Sequence, residues 1–409
     1  MAKKFRFGVI GLGNRGTSII RDVLLSFEDV DVIAVCDLYP DRNERAAAII
    51  REKRGASPFT TTDYNALLAL DGVDAVYISC AWEYHAEIAV AALKAGKPTG
   101  VEVGGAYSLD ELFLLVRTYE QTKTPFMFME NCCFNKQELL ATAVARSGKL
   151  GEIVHCSGAY SHDLRREITG GNINRHYRLR NYRSRNTENY PTHELGPIAK
   201  LLNINRGNRM VSLVSVASKA AGLERYVKDH PELTEQDPTL TDMRFRQGDI
   251  VNTVITCAGG ETIHLKLDTT LPRSYSREFT VRGTKGAYFM DLNAFFIDGM
   301  KEFWEPVKFA EAYLNNASEY EDDFLPDAWK SISEDTKKYG HGGMDSIMFR
   351  TFIECVTEGK EMPIDVYDAA ALMCVTVLSE RSIEQGGAPQ PFPDFTDGKW
   401  LVRPPRDVL

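Results

Sequence analysis

The chain has 409 residues, enough for two to three domains, and its 44% hydrophobic and 26% charged content is that of an ordinary globular protein. A formal net charge of −9 argues against a nucleic-acid or anionic-membrane surface, because binding phosphates needs a basic field. No apolar run reaches the length of a membrane span.

The amino-terminal Met-Ala-Lys-Lys runs straight into an apolar strand with no secretory leader, so a cytoplasmic location is expected. The eight cysteines agree. Cys132 and Cys133 are adjacent, the others are scattered singly in apolar segments, and no C-x-x-C pair occurs. This is the usage of buried free thiols, so neither a disulfide framework nor a metal site is expected.

The first third alternates strands and helices. Strands are predicted over 7–11, 30–36, 75–79, 99–103 and 126–130, and helices over 17–26, 42–53, 87–95 and 109–122. Continuous apolar strands joined by helices imply a parallel sheet with right-handed crossovers. After a helix over 136–147 the pattern changes. Segments 153–160, 209–218, 249–257, 261–270 and 277–281 read as strands, with Gly259-Gly260 as a hairpin signal. Helices follow over 345–358 and 366–385, and a Pro-rich tail from Pro389 is expected to wrap the surface. The reading is an α/β chain. A Rossmann domain occupies 1–131. An α+β domain with a mostly antiparallel open sheet occupies 132–409, its last helices packing back on the first domain. The free sheet face suggests a homodimer or homotetramer.

Residues 161–189 are polar, with seven arginines and interleaved Tyr177 and Tyr182. The overall acidity excludes an RNA-binding reading. The segment is either a solvated loop or a long loop lining a polar pocket.

Gly11-Leu12-Gly13-Asn14-Arg15-Gly16 follows a strand and opens a helix, the context that makes a G-x-G-x-x-G run specific. The glycines permit the tight turn and close approach of a pyrophosphate to the helix N-terminus. Asp37 ends the next strand, where a carboxylate accepts ribose hydroxyls and repels a 2′-phosphate; this favours NAD over NADP, a preference tempered by nearby Arg42. Further strand ends face the same crevice. They carry Trp82, Glu83, Tyr84 and His85, then Glu102 and Val103, then Asn131. Each alone could be loop packing; together they form a cofactor rim.

His193 follows Tyr190-Pro191-Thr192 at the start of an apolar helical stretch. It is either a proton shuttle or, with Glu194, a group that satisfies the helix N-terminus. Tyr160 and His162 alternate at a strand end and so point to one face. Arg178 offers a fixed fork of hydrogen-bond donors. His155, His176 and His264 read as packing or surface residues, and His341 in its Gly-His-Gly-Gly run is left open between a pocket loop and a subunit contact.

The sequence resembles the Gfo/Idh/MocA oxidoreductases, and more specifically glycoside hydrolase family 109, the NAD-dependent α-N-acetylgalactosaminidase-like enzymes. The likeness spans nearly the whole chain. It is carried by 11–16, 82–85, 129–133, 151–155, 162–165, the Arg-His-Tyr-Arg-Leu-Arg-Asn-Tyr block at 175–182, the Tyr-Pro-Thr-His-Glu-Leu-Gly-Pro block at 190–197, and 340–345. The resemblance implies that Asn14, Arg15, Asp37, Trp82, Glu83, Tyr84, His85, Glu102, Val103 and Asn131 line the NAD site. It implies a carbohydrate site of Tyr160, Arg178, Tyr190, Pro191, Thr192, His193 and Tyr275, with His193 the main catalytic residue. Tyr190, Tyr160 and His162 are candidate acid–base partners.

Two departures matter. Sugar dehydrogenases of the broader family carry Glu-Lys-Pro where this chain has Glu102-Val103-Gly104. An alcohol dehydrogenase needs an acid–base group beside the hydride path, so the missing lysine favours the glycosidase-like members, which share the gap. The studied type of this family also often carries an export signal, which is not seen here. The implied chemistry is a hidden redox cycle: oxidation at C3 of the sugar, loss of the acidified C2 proton, elimination at C1, addition of water and re-reduction. The alternatives are a sugar or inositol dehydrogenase with net turnover of NAD, and a catalytically silent NAD-binding regulator.

Overall fold

The computed structural model describes residues 4–338 and 340–409; the first three residues, part of the leaderless reading, lie outside it. The chain divides into two units. The first runs to Phe134 and takes back Lys330–Ala370 and Val408–Leu409; the second is Asn135–Trp329 with Ala371–Asp407. Among the described residues no helix is long and apolar enough to cross a membrane.

In the first unit, β1 (Phe5–Ile10), β2 (Val30–Cys36), β3 (Phe59–Thr61), β4 (Ala75–Ile78), β5 (Thr99–Glu102) and β6 (Phe126–Met129) form one sheet in the order β3-β2-β1-β4-β5-β6. Every pairing is parallel. Both faces are covered, so Phe7, Val9, Ala34, Val76 and Phe128 lose all contact with water. Strand order reverses between β1 and β4, which opens a crevice at the carboxyl ends of the strands. The first helix starts at Asn14, three residues before the predicted start. It continues as a π turn over Ile19–Val23 and a 3-10 turn over Leu24–Ser26.

The first unit ends at Phe134, three residues after the predicted cut at 131, and it also includes Lys330–Ala370, in the region whose helices were expected to pack back. Asn131–Phe134 is a fully buried turn of the first unit. The helix Met344–Glu358 also belongs there, because its apolar face packs on the sheet. The rings of Phe349 and Phe352 lie 6.1 and 6.0 Å from Phe7, and Phe349 lies 5.1 Å from Tyr77. Arg350 grips Asp29 through two bonds of 2.7 and 2.8 Å and covers the Phe27 ring.

The second unit holds β7 (Ile153–Ser161), β8 (Met210–Ala217), β9 (Ile250–Cys257), β10 (Thr262–Asp268), β11 (Thr280–Gly283), β12 (Gly286–Phe289), β13 (Ala294–Ile297) and β14 (Gln390–Pro391). They form a sheet in the order β13-β12-β11-β7-β10-β9-β8-β14, antiparallel except for β7 beside β10. Gly260, at φ 98°, turns the predicted hairpin between β9 and β10. The inner face buries Val251, Ile255, Ile263, Leu265 and Leu267, while Val211, Val216 and Val254 stand exposed on the other. The helix Thr192–Leu201 lies against β7, where Gly158 makes room: a Cβ there would sit 2.7 Å from Cβ of Glu194. The tail contributes β14 to the sheet edge, where a strand tolerates proline.

Residues 161–189 are not a solvated loop. They fold into helices Arg165–Thr169 and Arg178–Ser184 that bury Ile168, Leu179 and Tyr182, and the Tyr182 hydroxyl lies 2.6 Å from Oγ1 of Thr269. Apolar residues in helical spacing are hidden there among the arginines.

Candidate active site

The first unit carries the dinucleotide site. Gly11, at φ 95°, passes so close to β4 that a Cβ would lie 2.4 Å from the Cys80 nitrogen, and one on Gly16 would lie 2.0 Å from the Gly11 carbonyl. These two glycines bring strand and helix together. A Cβ on Gly13 would meet nothing nearer than 4.0 Å, leaving the open approach a pyrophosphate requires. Asp37 accepts from the backbone nitrogens of Leu12 at 2.7 Å and Tyr39 at 3.0 Å, with Arg42 at 3.6 Å. The carboxylate thus braces the glycine turn and keeps lone pairs for ribose hydroxyls. These residues fit NAD: Gly13 and the N-terminal end of the helix would face the pyrophosphate, and Asp37 the adenosine ribose.

Arg15 departs from the simple picture of a rim residue. Its Nε donates to Glu102 at 2.8 Å, and its two terminal nitrogens donate to Asp345 at 2.7 and 2.9 Å. Glu102 also accepts from the Tyr77 hydroxyl at 2.7 Å, and Asn131 donates to Asp345 at 2.8 Å. Burial alone would raise the Asp345 carboxyl, but Arg15 and His341 hold it well below the usual carboxylate range, so it stays ionised. Arg15, Glu102 and Asn131 therefore act as one bonded group. Of the segment after β4, Tyr84 is exposed and Trp82 buried. His85 is buried, with Nε2 3.0 Å from the Cys80 carbonyl, and burial pushes its pKa down. It closes a turn as a neutral ring.

Glu102-Val103-Gly104 now has a steric reason. The Trp82 indole occupies the space beside Gly104, where a Cβ would lie 2.7 Å from Cδ1. A proline at that position, as in the dehydrogenase motif, collides with Trp82.

The second unit carries a cluster of aromatic and basic side chains. Tyr160 and Tyr190 stack with centroids 4.2 Å apart, and the His193 ring lies 5.7 Å from Tyr160. The Tyr190 hydroxyl is 3.2 Å from Nε2 of His193. His162 meets Tyr160 edge-on at 6.0 Å and Tyr275 at 5.2 Å. Its pKa is pushed down by burial and by the charge of Arg178. Arg178 covers the Tyr190 ring at 5.0 Å and pairs with Glu167 at 3.0 Å. Pro191 holds the cap position of the helix Thr192–Leu201 without a side-chain bond of its own, and Thr192 is buried in the first turn. The His193 ring turns to Tyr190, and Glu194 lies in the first turn of the helix. His155 and His264 make cross-strand contacts to Thr262 and Asn252, and His176 stacks on Tyr177.

Sequence reasoning missed Arg277 and Glu138. This buried pair, 2.6 Å apart, supports Tyr275, whose hydroxyl accepts from Arg277 at 2.9 Å. It gave no role to Asp345, the last residue of the 340–345 block. An arginine or carboxylate inside an otherwise apolar segment was the available signal.

Two family models match. Residues 5–129 match the NAD-binding Rossmann fold of the oxidoreductase family, and residues 134–402 match the C-terminal domain of glycosyl hydrolase 109. A glycosyl hydrolase family 109 protein from Stenotrophomonas maltophilia is 36% identical over 98% of this chain and 91% of its own. An alpha-N-acetylgalactosaminidase from Tannerella forsythia is 35% identical, over 99% and 89%. In fold, the chain is similar to a myo-inositol 2-dehydrogenase from Lactobacillus plantarum, with a TM-score of 0.66 at 16% identity over 96% of this chain and all of the other.

Proposed function

This chain belongs to glycosyl hydrolase family 109, and on that premise we propose that it cleaves an N-acetylgalactosaminide or a related hexosaminide. The observation that carries the reading is the Tyr160–Tyr190–His193 cluster. NAD, when bound in the first unit, supplies reversible oxidation of a sugar hydroxyl, which acidifies the neighbouring C–H. The second unit supplies what that chemistry still lacks. Tyr190 and His193 share a hydrogen bond between Oη and Nε2, so a proton taken by one is relayed to the other. Tyr160, stacked on Tyr190, and His162, its pKa lowered by burial and by Arg178, hold sugar hydroxyls and carry a second proton in this reading. Arg178, anchored by Glu167, orients the sugar, and Tyr275 lies beside His162 as a further hydroxyl contact.

The fold neighbours of the inositol dehydrogenase class make net oxidation of a sugar the second reading. Trp82 against Gly104, and buried Val103 in place of the lysine, weigh against it. Protein purified without added cofactor, incubated with p-nitrophenyl glycosides led by the α-N-acetylgalactosaminide and followed at 340 nm, separates the two. Nitrophenol release without accumulating NADH, lost in His193→Ala, is the expected result. Steady NADH formation from free sugars without nitrophenol overturns it.

The proposal extends to setting. Eight free thiols, seven of them buried, fit a reducing cytoplasm. The exposed valines of the outer sheet face support a homodimer or homotetramer, which light scattering tests.

A further inference from the structure

The run Gly340-His341-Gly342-Gly343 is unusual in its backbone: φ is 54°, 51°, 73° and 101° in succession. Glycine adopts such values freely, but histidine does so only at a cost. The chain therefore holds His341 in a left-handed conformation that something must maintain. Close contacts do part of this, since Gly340 lies against Asp345, and a Cβ on Gly343 would meet Ile332 at 2.4 Å. The remainder is a polar lock. Nδ1 of His341 lies 2.8 Å from the Asp345 carboxylate. The contact with the carboxylate requires a proton on Nδ1, because an unprotonated nitrogen would face the oxygen lone pair to lone pair. Asp345 in turn binds Arg15 through two nitrogens and Asn131 through a third.

Arg15 is the second residue after Gly13, in the turn that meets the dinucleotide. Three of its five N–H donors are committed to Glu102 and Asp345, which holds the side chain in place. What the guanidinium does is pin the turn to a segment more than three hundred residues away in sequence. A turn pinned in its binding conformation loses little entropy when the pyrophosphate arrives, and must break those bonds to distort and release it.

We propose that Asp345 and His341 form a latch on Arg15 that fixes the glycine turn and slows release of NAD, both acting as positioning residues for cofactor retention. The inference rests on dinucleotide binding by the first unit and is independent of which sugar the protein cleaves.

The test uses the full chain freed of copurifying nucleotide. NADH dissociation is followed by stopped-flow fluorescence, and NAD affinity by titration. His341→Gly keeps the left-handed backbone, relieves its strain and removes only the ring. Asp345→Asn keeps the volume and a carbonyl for Asn131 but removes the charge from Arg15. Charge-assisted bonds set the expected size: NADH dissociation is about fivefold faster in His341→Gly and about tenfold or more in Asp345→Asn. The nucleotide-free melting temperature of His341→Gly is unchanged or higher, a result that a merely structural role for the ring would not give. In an Arg15→Met background, Asp345→Asn has no further effect. Wild-type dissociation rates in His341→Gly overturn the proposal even where Asp345→Asn fails to fold. So does an equal additional loss on top of Arg15→Met.

Discussion

Arg277→Met is the substitution whose consequence follows most directly from the structure. Arg277 and Glu138 retain 6% and 1% of their exposure and meet at 2.6–2.7 Å, so the pair is desolvated and charge-assisted. Removing the guanidinium leaves the Glu138 carboxylate buried, with the Asn135 amide as a contact. Breaking such a pair from one side costs about 3–5 kcal/mol, because an uncompensated charge remains. The lost bond to Tyr275 adds little, since that hydroxyl is half-exposed and water replaces the donor. Urea denaturation of the second unit, followed by far-UV circular dichroism, should therefore show a loss of about 3–5 kcal/mol. Glu138→Gln combined with Arg277→Met should recover most of it, because neither charge is then stranded. The catalytic consequence is separate: Tyr275 loses its cationic donor in both variants, so KM for the glycoside rises in both, even where stability returns. A loss under about 1 kcal/mol for Arg277→Met, or a double variant as unstable as the single one, would refute the reasoning.

Tyr190→Phe removes the hydroxyl from His193 without changing the ring stack, so kcat for glycoside cleavage should fall by about a hundredfold while bound NAD per chain, read from the 260 nm absorbance of a perchloric acid extract, is unchanged. Asp37→Ser removes the carboxylate that opposes a 2′-phosphate and leaves Arg42 beside it; titration should show the NADP-to-NAD affinity ratio rise by about tenfold or more. Burial pushes the Glu188 carboxyl from 4.5 up to about 8, a rise that Thr253 opposes only in part. The folded chain therefore holds a proton there that the unfolded chain has lost. This contribution to stability is complete below the unfolded value and disappears as pH rises through the folded one. Melting temperatures measured from about pH 5 to pH 9 should fall more steeply for the native chain than for Glu188→Gln, and parallel curves would count against the assignment.

Local features were legible in the sequence where the physics is local. The glycine turn, the apolar strands buried on both faces and the Gly259-Gly260 hairpin follow from residue type and spacing alone. The arginine-rich stretch over 161–189 misled in part, because the apolar positions of its two short helices are outnumbered by charges whose burial depends on distant partners. Strands β3, β12 and β13, three or four residues long, were missed. The last helices were expected to pack back on the first domain, but the limits of the returning segment Lys330–Ala370 were not: what commits it are Phe349 and Phe352 against Phe7, and Asp345 against Arg15, contacts separated by more than three hundred residues. Arg15 stands in the glycine motif by its spacing, but its side chain has a partner, Asp345, that sequence could not name.

The central claim is that this member of family 109 cleaves its glycoside through transient oxidation, and solvent isotope incorporation tests it most directly. The protein is incubated with p-nitrophenyl α-N-acetylgalactosaminide in deuterated water, and the released sugar is read by proton NMR. Loss of the C2 proton and its replacement from solvent predicts deuterium at C2 of the product, with no incorporation in His193→Ala. Hydrolysis that retains the C2 proton would contradict the account.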